Sequence, residues 1–116
     1  MKNLITLMTV LFALNLTAQE KNAKASLEVD GVCGMCKARI EKAAITLTGV
    51  KSAQWNLETH ELQVIYDGRK TDVAQIAKQV ADAGHDTKAF KAPDKAYNAV
   101  APCCKYRDED VVKAHQ

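Results

Sequence analysis

The chain has 116 residues, 47% hydrophobic and 26% charged, with 16 Lys and Arg against 14 Asp and Glu. That length holds one domain, and a net charge of +2 excludes a polybasic footprint for nucleic acid or anionic membrane. The hydrophobic content excludes a disordered chain, and with only 2 prolines and 5 glycines a linker-like one is excluded too, which leaves 4 cysteines as the unusual count.

Lys2 supplies a short positive start. Leu4 to Leu14 then reads Leu-Ile-Thr-Leu-Met-Thr-Val-Leu-Phe-Ala-Leu, apolar except for two threonines. Such a run matches the core of a secretory signal and is too short to cross a bilayer. Leu16-Thr17-Ala18 offers a cleavage site, so residues 1–18 are expected to be a signal peptide. The protein is then exported to the periplasm or another extracytoplasmic space, with no stable membrane insertion once the signal is gone. There, paired cysteines are disulfides, metal ligands or redox pairs.

Residues 19–24 are polar and read as a flexible N-terminus. Ala25-Ser26-Leu27-Glu28-Val29 alternates as a strand does, with Leu27 and Val29 inward. After a loop carrying Gly31 and Gly34, Ile40, Ala43, Ala44 and Leu47 form one helix face. Val50 to Leu57 alternates again, placing Ala53, Trp55 and Leu57 on one side, and Leu62 to Tyr66 returns as its hairpin partner. Thr71 is placed to cap a second helix, in which Val73, Ile76, Ala77 and Val80 repeat at helical spacing up to Gly84. Thr87 to Phe90 is read as a last strand. The order is β-α-β-β-α-β, a ferredoxin-like α+β sandwich with two helices on one face of a four-stranded antiparallel sheet. Residues 91–116 lack a period and read as an irregular, cysteine-containing tail that docks through Tyr97 and Val100.

Cys33-Gly34-Met35-Cys36 falls in the first strand-to-helix connection. Exposed backbone N–H groups and the positive helix end favour thiolate there, and Lys37 and Arg39 add positive charge. Two intervening residues let both sulfurs converge. Two thiolates without further ligands suit structural zinc poorly, whereas Cu(I), and Hg(II) on the same grounds, suits a soft, low-coordinate pair.

Gly31-Val32-Cys33-Gly34-Met35-Cys36-Lys37-Ala38-Arg39-Ile40-Glu41-Lys42-Ala43, with Gly49-Val50, Tyr66-Asp67 and Ile76 to Gly84, resembles the heavy-metal-associated domain family over about residues 25–90. That family includes copper chaperones, N-terminal modules of soft-metal P-type ATPases and the periplasmic mercury-binding protein. The resemblance implies the ferredoxin-like fold and an ion held by Cys33 and Cys36. It also implies a metal-transporting ATPase or another cysteine-bearing acceptor as partner. The family's pattern is Gly-Met-x-Cys-x-x-Cys. Here one residue separates Gly31 from Cys33 and the methionine lies inside the pair, so Val32 or Met35 takes the anchoring place.

Cys103-Cys104 is a second candidate for metal or redox chemistry, able to bind another ion, complete the first site or form disulfides with Cys33 and Cys36. His85, just after Gly84, is a possible third ligand. Met35 is expected to pack under its loop, and Trp55 to fill the core. The expected function is a binding module, not an enzyme. It holds one soft ion, Cu(I) foremost, and transfers or buffers it. The alternatives are a mercury scavenger and a thiol–disulfide oxidoreductase using the same pair. Against the oxidoreductase, Val32 stands where an aromatic residue is expected and residues 25–90 contain no proline.

Overall fold

The computed structural model describes residues 20–116; the expected signal peptide, residues 1–18, lies outside the described residues. Three strands, β1 (Ala23–Glu28), β2 (Val50–Trp55) and β3 (Glu61–Tyr66), form an antiparallel sheet in the order β1-β3-β2. Strand β1 begins at Ala23, so part of the segment expected to be flexible is paired, Ala23 with Tyr66 and Lys24 with Ile65.

Period-two alternation decides the two faces of the sheet. Leu27, Leu62 and Trp55 line up across the strands, as do Ala25, Val64 and Ala53. Ser26, Gln63 and Gln54 are the row between them, on the opposite face. Two helices, α1 (Gly34–Ile45) and α2 (Val73–Asp82), bury Cys36, Ile40 and Ala44, and Ile76, Ala77, Val80 and Ala81. With Trp55, Leu62 and Val64 these make one core. Each large aliphatic side chain fully buried there contributes about 2 kcal/mol. Asp72, not Thr71, caps α2, its carboxylate accepting the Gln75 N–H at 2.8 Å. Leu57 lies beyond the end of β2 and is exposed, not inward.

Among the described residues the sheet has three strands, not four. Residues 86–88 reach β1's end, where Asp30 N–H donates to the Asp86 carbonyl and Thr87 bridges Val29. Thr87 and Phe90 then close a turn on each other, the Thr87 N–H reaching the Phe90 carbonyl at 2.8 Å and the Phe90 N–H reaching the Thr87 hydroxyl at 2.9 Å. The contact with β1 therefore stays a single bridge at Thr87, with Lys88 N–H reaching the Glu28 carbonyl, and does not extend into a fourth strand.

The tail is not irregular. It carries α3 (Asp94–Asn98), a 3-10 turn (Pro102–Cys104) and α4 (Glu109–Ala114). Pro102 starts the 3-10 turn, where its missing N–H costs nothing, and Asp108 caps α4. Val100 and Cys104 belong to the buried core, with Tyr97 packed against it.

Candidate metal centre

Cys33 is the N-cap of α1, and Cys36 lies within the first turn on the buried side. Their sulfurs are 3.3 Å apart. Two features hold the loop in front of them. The indole N–H of Trp55 donates to the Val29 carbonyl at 3.0 Å. Gly31 lies so close that a Cβ there would stand 3.0 Å from the indole and 3.1 Å from Cys36 Cβ. Val32 packs against the core and anchors the loop. Met35 does not: it is 55% exposed, and its sulfur lies 3.5 Å from Cys103 Sγ.

The structure brings the second cysteine pair to the first. Cys33 Sγ is 3.2 Å from Cys104 Sγ and 3.9 Å from Cys103 Sγ. Cys33, Cys103 and Cys104 form a group whose sulfurs all lie within 4.8 Å of one another. All four cysteines are free thiols. Burial acts on them unequally. It pushes the Cys36 and Cys104 thiols up. At Cys33 burial pushes the same way, but hydrogen bonds from the Cys104 thiol and from backbone N–H groups at the helix start outweigh it and bring the group down to about 7. Cys33 is therefore about half thiolate at neutral pH while Cys36 and Cys104 keep their protons, which polarises the cluster toward Cys33.

His85 is not in that group. It is fully buried, and Nδ1–H donates to the Asp30 carbonyl at 2.9 Å. Burial pushes it down and keeps it neutral. Its ring stacks on Tyr106, with centroids 5.4 Å apart. It supports the tail instead of lining the sulfur cluster. Lys37 also serves a local purpose, pairing with Glu41 and donating to the Trp55 carbonyl at 2.8 Å.

Residues 26–86 match the heavy-metal-associated domain. The chain belongs to that family. Among its relatives, the copper chaperone CopZ of Staphylococcus aureus is 41% identical over 61 residues, covering 52% of this chain and 90% of its own. Among solved structures, oxidized MerP from Ralstonia metallidurans superposes with a TM-score of 0.55 at 31% identity, covering 58% of this chain and 94% of its own. The N-terminal domain of a potential copper-translocating P-type ATPase from Bacillus subtilis, in the Cu(I)-loaded state, does so at 0.54 and 28%, covering 58% and 85%. The heavy-metal-associated match ends at Asp86, so Cys103 and Cys104 lie beyond it.

Sequence reasoning found both cysteine pairs but missed what holds them together. Tyr106 donates its hydroxyl proton to the Gly84 carbonyl at 2.7 Å and accepts the Asp86 N–H at 2.8 Å. Arg107 pairs with Asp86 and lies over the Tyr97 ring at 4.1 Å. The Tyr-Arg pair two residues beyond Cys104 was the available signal, since an aromatic next to a guanidinium is a common docking element.

Proposed function

We propose that this is an exported soft-metal-binding protein that holds one ion, Cu(I) foremost, between the Cys33 and Cys36 thiolates and transfers or buffers it. The observation that carries the reading is the pair of sulfurs 3.3 Å apart at the start of α1, with Cys33 down at about 7. A thiolate at near-neutral pH captures a soft ion without a large proton penalty. The relatives named as copper chaperones and copper-ATPase domains support Cu(I) and an ATPase or other cysteine-bearing protein as acceptor. Export rests on the apolar run from Leu4 to Leu14. The role is binding, not catalysis.

Anaerobic titration of the reduced protein with Cu(I) against a competing chelator, with stoichiometry read by native mass spectrometry, tests it. One tightly held ion, lost in Cys33→Ala and in Cys36→Ala, is the expected result. Failure to compete for Cu(I) overturns it for copper, and Hg(II), the other soft ion that suits a low-coordinate thiolate pair, becomes the ion to titrate. A second reading, thiol–disulfide exchange, is favoured by one observation: a low thiol at Cys33 sits within 3.3 Å of two thiols that burial has raised. A reduction potential measured for the cysteine pairs separates the two.

A further inference from the structure

Of the three sulfurs that lie within 4.8 Å of one another, those of Cys33, Cys103 and Cys104, two come from a segment outside the family match, and Cys36 joins them through Cys33 at 3.3 Å. That segment is held by contacts that involve no sulfur. Val100 packs so tightly on Gly84 that a Cβ there would lie 2.7 Å from its methyl. The Tyr106 hydroxyl bridges Gly84 and Asp86. Arg107 binds the Asp86 carboxylate and the Ala92 carbonyl. The tail's position is thus fixed by its own packing, and it delivers Cys104 fully buried and Cys103 at the rim.

We infer that Cys103 and Cys104 bind the same ion as Cys33 and Cys36, so that the tail turns a two-thiolate site into an enclosed one of three or four thiolates. The inference rests on the metal-holding reading above and concerns how the ion is kept. With metal–sulfur bonds near 2.3 Å, two sulfurs in a linear site stand about 4.6 Å apart, in a trigonal site about 4.0 Å and in a tetrahedral site about 3.8 Å. The sulfur separations here are 3.2, 3.3, 3.9 and 4.0 Å. None reaches the linear span of about 4.6 Å, and three of the four share Cys33, the 4.0 Å one joining Cys103 to Cys104. Each thiol that joins the ion releases one proton to solvent. The exposed Met35 thioether lies beside Cys103, 3.5 Å from its sulfur. An open two-thiolate site lends itself to exchange, whereas an enclosed one retains its ion until the tail lifts.

X-ray absorption at the copper edge, on the reduced full-length protein loaded with one equivalent of Cu(I), counts the sulfurs directly. Three or more are expected in the native protein and two in Cys103→Ser/Cys104→Ser. Removal of Cu(I) by a chromogenic chelator should be faster in that variant by at least the roughly 10- to 100-fold seen when groups supporting a metal are lost. Because Cys104 is buried, Arg107→Ala provides the second arm. It keeps all four thiols and the stoichiometry, loosens the tail, and should speed removal about tenfold. Two sulfurs in the native protein, with equal removal rates in all three proteins, overturn the inference while leaving the two-thiolate reading intact. A native protein that does not compete for Cu(I) overturns both.

Discussion

Arg107 grips Asp86 through two contacts, Nη2 to Oδ1 at 2.7 Å and Nε to Oδ2 at 3.2 Å. The pair joins the last residue of the family-matched segment to the tail. Burial pushes the Asp86 carboxyl up, but the Arg107 guanidinium and the Ala92 N–H outweigh it and hold the group below its ordinary value of 3.8. A group lowered on folding adds stability that is present in full above its unfolded value and is lost as pH falls through the folded one. The latch therefore holds at neutral pH and weakens below about pH 4. Ring-proton NMR shifts of Tyr97 and Tyr106 should move in that acid window. Asp86→Asn should abolish the acid step and cost about 2 kcal/mol; unchanged stability would remove the latch role.

Gly84→Ala should free the tail. Its φ of +113° strains any side chain, and the new Cβ would meet Val100 at 2.7 Å and the Ala96 carbonyl oxygen at 2.9 Å. A loss of about 1–3 kcal/mol is expected. The count of rapidly reacting thiols should rise as Cys104 becomes accessible, and a native-like count would contradict the packing described.

Alkylation should begin at Cys33. With its thiol near 7 and those of Cys36 and Cys104 raised, iodoacetamide at neutral pH labels Cys33 first. Thiolate increases with pH, so the rate at Cys33 should climb through a midpoint near 7. Peptide mapping of partly labelled protein reads this, and preferential labelling at Cys36 would reverse the assignment.

Gly31→Ala should weaken metal binding without removing a ligand. The added methyl has no room between the Trp55 indole and Cys36 Cβ, so the loop carrying Cys33 must shift. An affinity loss of roughly 10- to 100-fold is expected, and Trp55→Phe, which loses the hydrogen bond to Val29, should act in the same direction. Unaltered Cu(I) competition by both variants would show that the loop needs no such support.

The helices, the hairpin and the placing of Cys33 and Cys36 were legible because each rests on a local rule: period 3.6, period 2, and a loop before a helix. Thr87 to Phe90 looked like a strand by order alone, and the turn that closes on Phe90 is what prevents it. The tail was illegible for a different reason. Tyr97, Val100 and Cys104 lie at helical spacing, but Pro102 interrupts them: Tyr97 sits in α3, Cys104 in the 3-10 turn and Val100 in the connection between. Only docking on Gly84 and Asp86 makes them one face. His85 drew attention by its position after Gly84, yet chain proximity carries no information about which way a ring turns, and this one turns to Asp30.

The short reach between Phe90 and Pro102 has a kinetic consequence. A tethered thiol pair competes for an ion at an effective concentration set by its tether, on the order of millimolar for short links. Small free thiols at micromolar levels then cannot displace Cys103 and Cys104. A partner protein presenting its own preorganised sulfur pair meets them on equal terms. The tail would thus discriminate among recipients by valency, refusing single thiols and yielding to paired ones.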